Sequence, residues 1–185
     1  IEAARALSQL GKKTIIITMD AKAIGRLSCN PAVGGAAKSH LVKEIDALGG
    51  VMGFCSDLSG IQFKTLNQSK GRAVWSLRAQ VDKKQYPKNI QALIKHDSNI
   101  KIIEDEVVGF KTVNKKVVAA KLKKNQDLFC KALIITTGTF LNGLIHIGKK
   151  SFSAGRMGEA AAQGLTESLQ SHGFKTGRLK TGTPP

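Results

Sequence analysis

Hydrophobic positions in this chain fall into short runs and helical repeats, most of them closed by glycine. Ala3, Leu7 and Leu10 recur at helical spacing before Gly11, so Ile1 to Leu10 reads as a helix with that face turned inward. Thr14 to Thr18 is a β-branched apolar run of the kind buried parallel strands carry. Leu41, Ile45 and Leu48 share one face of a helix expected to start at Gly34-Gly35 and stop at Gly49; that face is expected to meet a core. Val51 to Ala79 shows no clean period and reads as glycine-punctuated loop. Tyr86, Ile90 and Leu93 predict a helix over Tyr86 to Lys95, with Pro87 tolerated in its first turn. Asn99 to Ile103 predicts a second parallel strand. Val107 to Val113 and Lys116 to Leu122 flank a tight Asn114-Lys115 turn, a hairpin signal, and Leu128 to Cys130 can add a third antiparallel strand. Ala132 to Thr136 predicts a buried strand that runs into Thr137-Gly138-Thr139. Glu159 to Ser171 predicts a helix stopped by Gly173, followed by a Gly/Pro loop from Gly177 to Pro185.

A helix followed by a β-branched strand is the second half of a βαβ unit, whose first half holds a strand and a glycine-rich dinucleotide loop. A three-stranded antiparallel insertion before a last strand ending in Thr-Gly resembles FAD-binding domains of the glutathione-reductase type. The expected fold class is therefore α/β: a Rossmann-like FAD-binding domain with an antiparallel hairpin or meander insertion. Residues 1–185 are read as part of such a domain. Residues 1–50 form the second half of the first βαβ unit with the Cys-Asn-Pro loop. Residues 51–98 form a basic loop region and helix. Residues 99–185 form a strand, the meander, the Thr-Gly strand and the start of the following region.

Composition adds a polyanion. The net charge is +16 and the pI near 10, with basic residues in several segments rather than in one tail. No apolar run approaches the ~20 residues a spanning helix needs, and no charged-then-apolar leader is visible, so a cytoplasmic protein is expected, or a mitochondrial-matrix one in a eukaryote. Cys29, Cys55 and Cys130 lack metal-ligand spacing, as do the four histidines. One Trp and one Tyr argue against rows of stacking platforms.

The most informative stretch is Ser28-Cys29-Asn30-Pro31-Ala32-Val33-Gly34-Gly35. It places a thiol, a rigid Asn-Pro turn and two glycines before a helix start, whose free N–H groups suit an anion. Lys64, Lys70, Arg72 and Arg78, interrupted by Phe63 and Trp75, are either a solvated loop with two core aromatics or a basic lip that contacts RNA phosphate. Arg156, Arg178 and Lys180 lie in Gly-rich loops suited to phosphate contact. Asp20 reads as an exposed turn residue, His40 as surface, and His146, Cys55 and Cys130 as structural.

With the Ser28–Gly35 stretch go Lys38, His40 to Glu44, Asp46 to Gly50, Gly60 to Phe63, Leu66-Asn67, Ser69 to Gly71 and Arg78 to Gln80. Thr137 to Leu141, His146 to Gly148, Gly155-Arg156 and Gly177 to Pro185 complete the set. In these motifs the chain resembles the GidA (MnmG) family, flavoproteins of tRNA wobble-uridine modification. The resemblance implies FAD as cofactor, NADH as reductant and methylenetetrahydrofolate as one-carbon donor, with glycine or ammonium as amine source. It implies tRNA as substrate, the GTPase MnmE as partner and a homodimer. It also implies a glycine-rich loop upstream of Ile1 and a second functional cysteine beyond this chain. Cys29 is the candidate nucleophile, since a thiolate adding to C6 of uracil makes C5 nucleophilic; its rival role is to pack against the cofactor. Asn30, Gly34, Gly35, Val107, Thr137, Gly138 and Thr139 are the candidate cofactor contacts. One departure is Ala162, where the family commonly has Ser. The competing readings are a folate-dependent tRNA methyltransferase of the TrmFO kind and a basic RNA-binding module without catalysis.

Overall fold

The computed structural model describes residues 1–28 and 30–180. These form two compact units, residues 1–104 and 105–185.

In the first unit, α1 (Glu2–Gln9) leads into β1 (Thr14–Thr18), which pairs in parallel with β5 (Ile100–Glu104), Thr14 opposite Ile100. Both strands lie where the apolar runs predicted them. The second sheet is antiparallel, in the order β2 (Ala32–Gly34), β4 (Ser76–Val81), β3 (Gly60–Leu66). Three helices complete the unit: α2 (Ser39–Ala47), α3 (Met52–Ser59) and α4 (Gln85–Lys95). The core gathers Ile24, Val33, Val51, Cys55, Val81, Tyr86, Ile90 and Ile94. Tyr86, Ile90 and Ile94 are the inward stripe of α4, one residue away from the expected Leu93.

Carboxylates tie the elements together. Glu2 accepts from the Val51 and Met52 N–H groups (3.0 and 2.8 Å), which covers free donors at the start of α3. Asp97 accepts from the Ser8 hydroxyl (2.6 Å), the Arg5 guanidinium (2.7 Å) and the Asn99 N–H (3.0 Å), and so clamps α1 to the α4–β5 turn. This clamp corrects the expected face of α1. Ala4 and Ser8 are buried while Ala3 and Leu10 are exposed, because the Ser8–Asp97 bond decides which side turns inward.

Two further expectations for this unit change. Residues 51–79 are not irregular: they form α3, β3, a 3₁₀ turn at Arg72–Val74 and the start of β4. The helix after the glycine pair starts at Ser39, not at Gly34-Gly35, and Leu41 and Leu48 are exposed rather than buried. Gly34 is committed to the ladder with Arg78, and the Gly35 N–H donates to the Leu77 carbonyl (2.7 Å). The helix can begin only after the chain reverses through Ala37 (φ 58°).

The second unit holds the predicted meander: β6 (Val107–Val113), β7 (Lys116–Leu122) and β8 (Leu128–Phe129). Its tight turn puts Asn114 and Lys115 at φ 50° and 61°, the double left-handed geometry of a two-residue hairpin. A second hairpin, β9 (Leu144–Ile147) with β10 (Lys150–Ser153), and α5 (Leu165–Ser171) follow. The helix is shorter than predicted. Ala162 exchanges backbone hydrogen bonds with Phe140 and Asn142 (2.9 and 2.8 Å), and Gly164 stands at φ 92°, so residues 159–164 cannot be helical. Ala132 to Thr136 forms no strand, and Ile134 and Ile135 are exposed. An apolar run becomes a strand only against a partner edge, and no strand among the described residues pairs with it.

The Asp97 clamp sets a pH test. Hydrogen bonds from Ser8 and Asn99, with Arg5 beside it, outweigh the cost of desolvation and hold its carboxyl below the usual carboxylate range. Its folded pKa lies below its unfolded one. The stability it gives is therefore complete above the unfolded value of about 3.9 and is lost as pH falls through the folded value. Asp97→Asn should lower the urea midpoint at pH 7, and the gap from the parent should close as pH falls below about 4. A gap that is constant with pH would place the effect in packing, not charge.

Candidate functional site

The site grows from the β2–β4 ladder. Gly34 stands at φ 85°, and a Cβ there would lie 2.4 Å from the Leu77 carbonyl oxygen. Only glycine lets the two strands meet this closely. What fills that space is protein backbone, so the close approach allowed by Gly34 is first an approach of β4. Gly35, at φ 96°, is open by comparison, with the Leu66 side chain 3.9 Å from such an atom.

Between α2 and this sheet lies a cavity of about 480 Å³. Leu27, Val33, Val42, Ile45 and Met52 make its apolar wall. Asn30, Lys38 and Arg78 bring polar and cationic groups to it, and Tyr86 contributes from α4. The structure brings Asn30 and Gly34, expected as cofactor contacts, and Arg78, expected as an RNA contact, to one cavity, together with Lys38, Met52 and Tyr86. Lys38 was legible only as a member of the family motifs; nothing in the pattern pointed to Met52 or Tyr86 as lining. Cys29, adjoining Asn30 in sequence, lies outside the described residues, as do Thr181 to Pro185 of the closing motif.

Behind the cavity the groups are inert. Cys55 is fully buried, and burial, then Glu2, pushes its thiol pKa up, which disfavours the reactive thiolate. Burial, with Cys55 and Glu2 beyond it, pushes the Tyr86 phenol up to about 12. Cys130 is half-buried at the end of β8, and its N–H donates to Val118.

Beside the cavity runs the basic hairpin. Lys64 of β3 stands directly opposite Arg78 of β4, and Gln62 opposite Gln80. The β3–β4 loop is fixed by its own bonds: Asn67 donates to the Val74 carbonyl (3.1 Å) and the Trp75 indole N–H to the Lys70 carbonyl (3.0 Å). Arg72 lies over the Trp75 ring, 5.6 Å from its centroid. Phe63 and Trp75 are exposed, so the basic lip is no solvated loop over two core aromatics.

The remaining candidates belong to the second unit. Gly138 (φ 61°) has open space where a Cβ would lie, and Thr139 is exposed beside it. Val107 opens β6, opposite Leu122. Arg156 is tied to Glu159 (3.0 Å) and lies over the Phe140 ring, 5.1 Å from its centroid; Arg178 donates to the Asn142 carbonyl (3.0 Å). Both cations thus brace the loops around Phe140, while Lys180 is exposed. Ala162, at the departure from the family pattern, is buried between the same loops. Asp20 caps the 3₁₀ turn at Ala21–Ala23 through the Lys22 N–H (2.8 Å), the turn role expected for it. Among the described residues no cluster of three or more His, Cys, Asp or Glu could hold a metal, and no helix is long and apolar enough to cross a membrane.

A parallel β–β core with a meander insertion defines a Rossmann-type α/β domain, and comparison with known proteins gives that class a family. The family model "Glucose inhibited division protein A" matches residues 1–185. A "tRNA uridine 5-carboxymethylaminomethyl modification enzyme MnmG" from Campylobacter hominis is 50% identical over 185 residues, all of this chain and 29% of the relative. The protein of the same name from Christiangramia forsetii is 47% identical over 184 residues, again all of this chain and 30% of the relative. Among solved structures, Aquifex aeolicus GidA in crystal form I shares 45% identity at a TM-score of 0.89, over 94% of this chain and 29% of that one. A GidA-related protein from Thermus thermophilus, at 15% identity and a TM-score of 0.61, covers 94% of this chain and 64% of its own and shares the fold. The chain belongs to the GidA family, and it spans about 30% of the length of the curated relatives it matches.

The Gly34 approach is testable. Gly34→Ala combines a left-handed residue with a backbone collision and should cost roughly 2 kcal/mol or more. Gly35→Ala carries the strain without the collision and should cost less. Urea unfolding of the two variants reads the difference; equal losses would mean that the Leu77 contact does not constrain the strand.

Proposed function

We propose that this chain is part of an FAD-dependent enzyme that builds the 5-carboxymethylaminomethyl or aminomethyl group at C5 of the tRNA wobble uridine, together with the GTPase MnmE. The observation that carries the reading is the family match along the whole chain. The cavity lined by Asn30 supports it, with Lys38 and Arg78 at its wall. In this reading the protein is a cytoplasmic homodimer, NADH is the reductant and methylenetetrahydrofolate gives the one-carbon unit.

The second unit fits a dinucleotide at one place. Gly138 holds a left-handed backbone with open space where a Cβ would lie, which leaves room for a ligand at this point of the Thr137–Thr139 turn. The Val107 backbone would meet the adenine end. When bound, FAD supplies the redox chemistry. The chain's own residues do the rest. Asn30 and the Gly34 backbone shape the cavity wall. Lys64, Lys70, Arg72 and Arg78 contact RNA phosphates, with Lys180 and, where their present bonds yield, Arg156 and Arg178 as outer contacts. The Cys29 thiolate adds to C6 of the uracil, which makes C5 nucleophilic toward the one-carbon unit; C5 then loses its proton and the thiolate leaves C6 as the C5–C6 double bond re-forms.

Cys29→Ser tests the nucleophile. In a full-length family enzyme whose matching segment is replaced by this chain, it should keep folding and flavin content and lower wobble modification by at least tenfold. Mass spectrometry of wobble nucleosides from cells carrying only that protein is the readout, with Cys55→Ser as the near-normal control. Near-normal modification with Cys29→Ser would remove the nucleophile role. Joint loss of flavin and activity would make Cys29 a cofactor-packing residue.

A further inference from the structure

The β3–β4 register sets two cations against each other. In an antiparallel pair, residues directly opposite share a face of the sheet, with Cβ atoms about 4.5–5.5 Å apart, and like charges so placed destabilise the pair. Lys64 and Arg78 are such a pair. Among the described residues neither has an acidic partner. On the third strand the register position beside Arg78 is Gly34, which has no side chain, so the row is open above β2. The next row along the same face carries Gln80 and Gln62, beside the small Ala32. At the tip of the hairpin, Lys70 and Arg72 continue the positive charge on a loop that its own hydrogen bonds hold rigid.

We infer that Lys64 and Arg78 together hold a single phosphate group, a phosphodiester of the RNA substrate. The inference rests on the RNA reading above and deepens it. One phosphate between two cations relieves their repulsion, and the spacing across the ladder matches the width of one phosphate better than the step between two. The charge that continues to Lys70 and Arg72 suits a polyanion that runs along the hairpin rather than an isolated ion. The pair is thus frustrated in the free protein and satisfied only in the complex.

The test reads sharing through non-additivity. Affinity of the chain for an anticodon stem–loop RNA is measured by fluorescence anisotropy over a range of salt, for the parent, Lys64→Gln, Arg78→Gln and the double variant. Each phosphate neutralised contributes about 0.7–0.9 to the slope of log affinity against log salt. Each single variant should lower the slope by about one phosphate's worth, and the double variant by no more than either single one. Without RNA, each single variant should melt about 1–3 °C higher than the parent, because the repulsion is gone. A double variant that loses two phosphates' worth of slope overturns the shared clamp. Unchanged slopes in all variants, or a parent that binds no RNA at low salt, overturn it as well. A parallel titration with ADP separates the other source of a phosphoryl group. ADP binding that falls in the variants while RNA slopes hold would assign the pair to a dinucleotide instead. Failure of the enzymatic reading is seen separately, in the wobble-nucleoside measurement.

Discussion

The first unit depends on one close approach of backbone to backbone. At Gly34 the β2 strand meets β4 at a distance that no side chain permits. From this contact the rest follows in order. Gly35 must donate to Leu77, the chain must reverse through a left-handed Ala37, and α2 is delayed to Ser39. The cavity lies between this helix and the sheet. The same register fixes Arg78 opposite Gly34 on one side and Lys64 on the other. A stretch that looks like a ligand motif in the sequence is thus a constraint on folding that also shapes a cavity wall.

Much of the fold was legible because it rests on local signals. The parallel pair β1 and β5, the meander and its left-handed turn were each written in β-branched runs and turn residues. What failed were inferences from apolar spacing alone. Leu41, Ile45 and Leu48 have the spacing of a core face, yet Leu41 and Leu48 are exposed, because the helix is placed by its tether and not by its own stripe. In α1 a serine decided the matter, since the Ser8–Asp97 bond has a direction that apolar contacts lack. Ala132 to Thr136 has strand composition without a strand, since strand pairing is a property of two segments and the pattern describes one.

The candidate site was legible in the same uneven way. Asn30 and Gly34 of the Ser28–Gly35 stretch and Arg78 of the basic segment converge on one cavity. Lys64 was read as one cation among several, and its special position is invisible until the register is known. A difference of one residue in that register would put it on the other face. Arg156 and Arg178 show the opposite case: cations in glycine-rich loops look free in a sequence, but here each already holds a partner.

The charge imbalance is sharpened by what the acidic residues do. Many of the carboxylates are committed to backbone N–H groups. Glu2 holds the start of α3, Asp20 the 3₁₀ turn, Asp82 the approach to α4 through Lys84 and Gln85, and Glu104 the Ala21 N–H. Asp105 is buried in the second unit; desolvation opposes its charge, but the Asn125 side chain and the N–H groups of Glu106, Lys124 and Asn125 win and hold its pKa down. With 13 acids against 29 lysines and arginines, using carboxylates as caps leaves fewer to neutralise the surface. The positive field is therefore more than a matter of composition. Acids that stabilise turns and helix starts cannot also screen the hairpin, and Lys64 and Arg78 face each other across the ladder without an acidic partner among the described residues.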